Sequence, residues 1–326
     1  MKKFLTTSLC IVVALAATLG VQGVASKSAT SLAAMPPMKA DTALIRTHLV
    51  AICQTDGFRN YRNIKILDQT AEYIHSVFRR WADTVFYQPF QVQGRTYKNV
   101  VCRFASHIDL PVVIVGAHYD VCGDQQGADD NASGVVGLLE LARLLGGGVA
   151  LTRPVELVAF TLEEPPFFRT PNMGSSVHAR SLRESGRKVY GMAALEMIGY
   201  FDERRFSQNY PVKALKVAYG SRGDYIMLVK RIGYGEFTGR FSAHFASARS
   251  TVATHNLKAP AKVEGIDFSD HMNYWKEGYD ALMVTNTAFF RNSNYHRPTD
   301  TIQTLDIPRM GEVIGSVAWA VVNIDR

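Results

Sequence analysis

Residues 111–120, PVVIVGAHYD, decide the fold class of this chain. Residues 111–117 form a continuous apolar run, which is typical of a strand that is buried on both faces of a parallel sheet. The run stops at His118-Tyr119-Asp120, where the side chains become polar. The stretch therefore predicts a buried strand whose carboxyl end carries polar, metal-capable groups.

Strand and helix patterns alternate on both sides of this run. Beyond it, strands are predicted at 154–162, 189–195 and 281–285, and helices at 134–145, 175–184 and 307–323. Before it, helices are predicted near 41–54 and 66–81, and strands at 84–93 and 97–105. Buried strands that alternate with helices favour an α/β fold: a mainly parallel mixed sheet with helices on both faces, an α/β/α sandwich. We expect one domain over 41–326, with an irregular insertion near 201–265.

Composition excludes several classes of protein. The 326 residues are 47% hydrophobic and 20% charged, which excludes a disordered chain and a disulfide-dense miniature scaffold. The formal charge is +7, and two of these charges are Lys2 and Lys3, so removal of the leader would leave 7 − 2 = +5. No stripe of Lys and Arg is interleaved with aromatic residues, and we expect no nucleic-acid partner.

The first residues have the pattern of a secretory leader. Lys2-Lys3 precedes an apolar stretch over 4–19, and small residues follow at 23–26. This pattern predicts a signal peptide over 1–26 and a spacer over 27–40, because the apolar stretch is too short to span a membrane. No later run is long enough to do so, and we expect an exported protein, periplasmic or secreted.

Three cysteines would remain after removal of the leader: Cys53, Cys102 and Cys122. An odd number permits at most one disulfide and leaves one thiol. Their spacing is not that of a metal knuckle, and the sequence leaves the pairing open.

Polar side chains follow the ends of four predicted strands. They are His118 and Asp120, the loop GADDNASG at 127–134, the pair Glu163-Glu164, then Glu196, and finally Tyr295 and His296. The carboxyl ends of strands in α/β sheets converge on one rim, where sites form. Any one of these residues alone would be read as a helix cap or a structural residue. Together, two imidazoles and several carboxylates predict a site for zinc or a harder dication.

With these motifs in this order, over roughly 100–300 of the chain, the sequence resembles the secreted co-catalytic di-zinc aminopeptidases of clan MH, which also contains glutaminyl cyclases. The resemblance implies two zinc ions, held by His118, Asp130, Glu164, Glu196 and His296, with Asp130 as the bridge. It implies Glu163 as general base, Asp120 as the carboxylate that orients His118, and Tyr295 as a stabiliser of the tetrahedral intermediate. It also implies a cis peptide bond after Asp130.

The function that follows from the resemblance is a zinc-dependent exopeptidase. It would remove N-terminal residues from peptides or proteins with a free N-terminus. Two alternatives stay open: a glutaminyl-cyclase-like acyltransferase with one zinc, and a binding homologue without catalysis. The ligands alone do not separate the first two, because both groups have them.

Overall fold

The computed structural model describes residues 36–233 and 235–326. Its eight strands are β1 (Thr84–Val92), β2 (Arg95–Phe104), β3 (Val112–His118), β4 (Val155–Phe160), β5 (Val189–Glu196), β6 (Tyr225–Arg231), β7 (Ala253–Ala259) and β8 (Ala281–Thr285). They form one sheet in the order β1-β2-β4-β3-β5-β8-β6-β7. The four central strands β4, β3, β5 and β8 are parallel to one another. The carboxyl ends of these strands therefore lie at one edge.

Eight α-helices accompany the sheet in the described residues. They are α1 (Thr42–Cys53), α2 (Ile64–Phe78), α3 (Gly134–Gly146), α4 (Gly174–Glu184), α5 (Leu215–Tyr219), α6 (Glu236–Ala246), α7 (His271–Lys276) and α8 (Ile307–Val322). Along β3, Val113 and Val115 join the apolar core that includes α1, α2, α3, α6 and α8. Val112 and Ile114 join a second core, with α4 and α7. Alternate side chains of a strand point to opposite faces, so both faces are covered and the predicted fold class is confirmed.

Several predicted boundaries differ from the structure by one to three residues, and two of these differences have a local cause. The strand predicted at 154–162 ends at Phe160, and Leu162 has a left-handed backbone with φ of 60°. A β-branched or bulky residue in that conformation cannot continue an extended strand. The helix predicted over 66–81 runs from Ile64 to Phe78, because the Asn63 side chain caps its first turn.

The stretch 201–265, expected to be irregular, is so only in part. It contributes β6, α6 and β7, which extend the sheet beyond β8. Strand β7 is at the edge and half exposed, so it lacks the apolar run that marks the central strands. Residues 201–224 carry the irregular part, with only the short helix α5.

The predicted signal peptide lies outside the described residues, as does the spacer up to residue 35. The described end of the spacer, residues 36–40, contacts the domain. Met38 and Ala40 pack against the core, and Arg143 donates a hydrogen bond to the carbonyl of Lys39. Across the described ranges no helix is both long and apolar enough to cross a membrane.

Candidate metal centre

The candidate metal centre lies where the central strands end. His118 is the last residue of β3, and Glu196 is the last residue of β5. Glu163 and Glu164 follow β4 after a short turn, and His296 lies in the loop beyond β8. Because β4, β3, β5 and β8 are adjacent and parallel, these residues meet at one rim of the sheet.

Asp130 lies between the two imidazoles of the cluster. Its Oδ1 is 3.5 Å from His118 Nε2, and its Oδ2 is 3.2 Å from His296 Nε2. On the first side, Glu196 Oε2 is 3.4 Å from His118 Nε2. On the second side, Glu164 Oε2 is 3.1 Å from His296 Nε2. Each oxygen of Asp130 therefore faces a separate pair of one imidazole and one carboxylate.

Glu163 is on the His118 side, with Oε2 3.8 Å from His118 Nε2. Neighbouring side chains on an extended strand point in opposite directions. Here the left-handed turn at Leu162 ends the strand, so the carboxylates of Glu163 and Glu164 both face the same cluster.

Burial and mutual charge set the ionisation of the cluster. Burial alone would lower the pKa of His118, but the carboxylates of Glu163 and Glu196 outweigh it and raise this pKa well above its ordinary value. Burial opposes ionisation of Asp130, yet interactions with His118 and His296 hold its pKa well below the usual range. Burial and the Asp130 charge raise the pKa of Glu164 to about 8, and burial also raises the pKa of Glu163. A dication removes the repulsion that keeps such carboxylates protonated.

Several atoms of the cluster are left without partners, which is the signature of a site built for a ligand. Asp130 Oδ2, Glu164 Oε1 and His296 Nε2 are buried and make no hydrogen bond. An unpaired buried polar atom costs stability unless something else satisfies it. Ligand atoms of His118, Asp130 and Glu196 all lie within 4.8 Å of one another. Imidazole and carboxylate donors in this number fit zinc.

Asp120 acts in the structure mainly on the two glutamates. Its carboxylate accepts hydrogen bonds from the backbone N–H groups of Glu163 and Glu164, each at 3.1 Å. His118 Nδ1 lies 3.2 Å from the Asp120 carbonyl oxygen and 3.7 Å from the carboxylate. The predicted orientation of His118 by Asp120 therefore involves its backbone more closely than its side chain, and the carboxylate positions the Glu163-Glu164 turn.

The loop that carries Asp130 has an unusual backbone. Gly127 has φ of 56°, and a side chain there would collide with the Asp130 carbonyl. The Asp130–Asn131 peptide bond is cis, as the resemblance implies. Asn131 ties the loop to the end of β5, since its Nδ2 donates to the Leu195 carbonyl at 2.8 Å and its Oδ1 accepts from the Met197 N–H.

Sequence reasoning missed two carboxylates, those of Asp129 and Asp300, whose hydrogen bonds hold the Asp130 loop in place. Asp129 Oδ2 accepts hydrogen bonds of 2.8 Å from the side-chain amides of both Asn286 and Asn292, in the loop that leads to His296. Asp300 accepts from the backbone N–H groups of Asp129 and Asp130, at 2.9 and 3.0 Å. Asp129 was noticed only as part of the motif, where a helix cap is the ordinary interpretation.

Arg59 was missed entirely. It is 1% exposed, and its guanidinium donates to the carbonyls of Tyr119, Gln126 and Gly127, in the segment between His118 and Asp130. A fourth hydrogen bond joins it to Ile52 in α1. No local pattern around residue 59 signals this role, because its partners come from distant parts of the chain.

Residues 99–321 match the family described as peptidase family M28. The match covers well over half of the chain. The chain belongs to peptidase family M28. The uncharacterized protein YfbL of Escherichia coli (strain K12) is 44% identical to this M28 chain over 280 residues, 83% of this chain and 85% of YfbL. A probable leucine aminopeptidase 1 of Trichophyton verrucosum (strain HKI 0517) is 27% identical over 216 residues, which are 62% of this chain but 51% of the fungal protein.

Solved structures share the M28 fold at low identity. The LapA aminopeptidase of Legionella pneumophila aligns with a TM-score of 0.67 and 18% identity, over 95% of this chain and 79% of LapA. A glutaminyl cyclase of Tannerella forsythia aligns with a TM-score of 0.63 and 19% identity, over 88% of this chain and 99% of the cyclase. At these identities the similarity concerns the fold alone. The aminopeptidase and glutaminyl cyclase activities are those of the two other proteins.

A pocket in this M28 chain opens beside Glu196. Apolar side chains dominate its wall: Tyr210, Met227, Leu257, Phe268, Met283 and Phe289. The ring of Tyr295 stacks on His296 at 3.8 Å between centroids and lies 5.5 Å from the ring of Phe289 in the pocket wall. Burial and four surrounding carboxylates raise the pKa of Tyr295. Its hydroxyl therefore stays protonated and can donate a hydrogen bond.

Proposed function

We propose that this M28 chain is a two-zinc aminopeptidase that removes apolar N-terminal residues from peptides. The observation that carries the proposal is the position of Asp130, whose two oxygens face two separate imidazole–carboxylate pairs. One ion would be held by His118 and Glu196, the other by Glu164 and His296, and Asp130 would bind both. When bound, two zinc ions supply Lewis acidity, which polarises the peptide carbonyl and acidifies water.

Glu163 supplies the proton transfers in this proposal. It is 6% exposed and faces the cluster without belonging to either imidazole–carboxylate pair around Asp130. Its carboxylate takes a proton from the attacking water and delivers it to the nitrogen of the leaving peptide. A positioned general base of this kind contributes about 10²–10⁴-fold to the rate.

Tyr295 and Asp120 have positioning and binding roles. The protonated hydroxyl of Tyr295 donates a hydrogen bond to the carbonyl oxygen of the substrate as negative charge develops there. Asp120 accepts hydrogen bonds from the backbone of Glu163 and Glu164. It therefore fixes the positions of the proposed base, Glu163, and the proposed metal ligand, Glu164, relative to each other.

The pocket beside Glu196 receives the side chain of the N-terminal residue. Its wall contains two methionines and several aromatic rings, so it favours leucine, methionine or phenylalanine over charged residues. The free amino group of the substrate then lies toward the carboxylates of the centre, whose charge attracts it.

The test is metal analysis and product analysis of the purified chain. We expect about two zinc ions per chain and release of p-nitroaniline from leucyl-p-nitroanilide, with activity lost to a chelator and restored by zinc. Glutaminyl peptides should be hydrolysed rather than cyclised. Cyclisation with one zinc would instead establish the glutaminyl-cyclase alternative, and absence of bound metal on zinc-supplemented protein would refute the site.

A further inference from the structure

A thiol lies beside the candidate metal centre. The Sγ atom of Cys122, a carboxylate oxygen of Glu164 and a ring nitrogen of His296 all lie within 4.8 Å of one another. Cys122 follows β3 by four residues, in the segment that Arg59 holds. Sequence reasoning counted imidazoles and carboxylates as donors here and no thiol.

Cys122 differs from the other cysteines of the described residues. Cys53 and Cys102 are 5% and 0% exposed and pack in the apolar core. Cys122 is half-buried, and within the part of the chain that the structure describes none of the three is in a disulfide. It is thus a reduced thiol with access to solvent on one side and to the cluster on the other.

Unpaired polar atoms around Cys122 are a second indication, besides the thiol itself, that a ligand binds here. Glu164 is 4% exposed, and its Oε1 makes no hydrogen bond; the Nε2 atom of His296 has none either. Thiolate, imidazole and carboxylate are the three protein donors that zinc accepts most readily. The three groups together have the composition of a zinc position, whereas the His118 side offers nitrogen and oxygen only.

We propose that Cys122 is a sulfur ligand of the metal position formed by Glu164 and His296. The inference rests on the proposed metal centre and assigns a further ligand to it. On binding, the thiol gives up its proton to solvent, and a sulfur–metal bond replaces the S–H bond. Because thiolate is a soft donor, this position prefers zinc, cobalt or cadmium over magnesium or manganese, while the His118 position lacks that preference.

Cobalt substitution reports sulfur ligation directly. The full chain is freed of metal, loaded with Co²⁺ and examined for the near-ultraviolet band of thiolate-to-cobalt charge transfer. We expect the band in the wild-type protein and in Cys53→Ala, the matched control. We expect Cys122→Ala to lack it while the cobalt on the His118 side remains bound.

A second measurement needs no variant. Iodoacetamide should alkylate Cys122 in metal-free protein and leave it unmodified in zinc-loaded protein, as read by peptide mass spectrometry. A zinc-loaded, active enzyme whose Cys122 is alkylated as fast as without metal would overturn the sulfur ligand and leave the peptidase proposal standing. Wild-type protein that binds cobalt but lacks the thiolate-to-cobalt charge-transfer band would also overturn the sulfur ligand and leave the peptidase proposal standing. Failure of the wild-type chain to bind cobalt or zinc at all would refute both proposals together.

Discussion

Asp129 Oδ2 accepts a 2.8 Å hydrogen bond from the side-chain amide of Asn292, and so joins the Asp130 loop to the loop of His296. The second amide, that of Asn286, donates to the same oxygen. Asp129 is completely buried and lies immediately before Asp130, the proposed bridging carboxylate. It therefore fixes the spacing between Asp130 and His296.

Replacement of Asp129 by Asn should separate these loops. Both carboxylate oxygens of Asp129 accept hydrogen bonds, from the two side-chain amides on Oδ2 and from the Gly199 N–H on Oδ1. Whichever way an Asn amide turns, its NH2 group faces a donor, so at least one hydrogen bond is lost and the His296 side loosens. We expect metal affinity at this side to fall about 10–100-fold, the usual effect of removing a partner that orients ligands. Zinc titration by calorimetry measures it. Asp280→Asn is the control, since Asp280 accepts from the Thr238 backbone far from the centre; equal zinc affinity in both variants would contradict the role of Asp129.

Glu163 and Glu164 should respond differently to the same substitution. Glu163→Gln keeps the size of the side chain but cannot accept a proton, so turnover of leucyl-p-nitroanilide should fall by about 10²–10⁴-fold at unchanged zinc content. Glu164→Gln should lose zinc first, because its carboxylate lies 3.1 Å from His296 Nε2. Zinc content and turnover are measured on both proteins side by side. If Glu163→Gln loses zinc and Glu164→Gln keeps it, the two roles are exchanged.

Leu257 should influence which N-terminal residue is accepted. It lines the apolar pocket from β7, and Leu257→Glu introduces a charge there. We expect kcat/KM for leucyl-p-nitroanilide to fall on the order of 10–200-fold, the range that apolar pocket contacts contribute, with a relative gain for the lysyl substrate. Asn256→Glu adds the same charge at the neighbouring position of β7. An equal loss in that control would mean that net charge, and not the pocket, sets the preference.

Stability in acid should depend on Glu156, which lies near the amino end of β4, away from the candidate metal centre. It is fully buried and accepts hydrogen bonds from Arg103 and Arg187, both at 2.7 Å, with His178 Nε2 at 2.9 Å. Burial opposes ionisation of Glu156, but His178 and the two arginines outweigh it and lower its pKa to about 2, from an ordinary value of 4.5. Between these values the unfolded chain binds more protons than the folded one, so this contribution to stability is present above pH 4.5 and is lost toward pH 2.

Glu156→Gln removes that contribution. The variant should be less stable at pH 7 by about 1–3 kcal/mol, because the amide loses the charge that pairs with two partly exposed arginines, and its stability should fall less steeply between pH 4.5 and 2. Urea unfolding across this range measures both effects. Glu277→Gln, in a looser ion pair with Arg183 at 3.7 Å, serves as control. Parallel curves for the wild type and Glu156→Gln would disprove the assignment.

The central sheet was predictable because its strands are buried on both faces. Strands β3 and β4 are buried at every position, so β3 appears in the sequence as an unbroken apolar run and β4 as an apolar run interrupted only by Glu156. Strand β7, at the sheet edge, mixes exposed and half-buried residues and lacks such a run. Strand β6 does contain a buried apolar run over residues 225–229, but this run is short and lies between polar stretches, so the region was expected to be irregular.

The candidate ligands were predictable for a related reason: each follows a recognisable strand. What could not be predicted is the set of hydrogen bonds that hold them. Arg59 reaches carbonyls 60–68 positions away, and Asp120 reaches backbone amides 43 and 44 positions away. Such partners depend on how the chain returns in three dimensions, which a local pattern of polar and apolar residues does not encode.

The 163 positions between Asp129 and Asn292 have a consequence for biosynthesis. A ribosome completes the His118 strand long before it reaches the loop of His296, and pairings between such distant segments form late. A nascent chain that has not reached this loop lacks His296, and its candidate metal centre is incomplete. Under the proposed function, the ability to degrade neighbouring polypeptides arises only once the last third of the chain has joined the sheet.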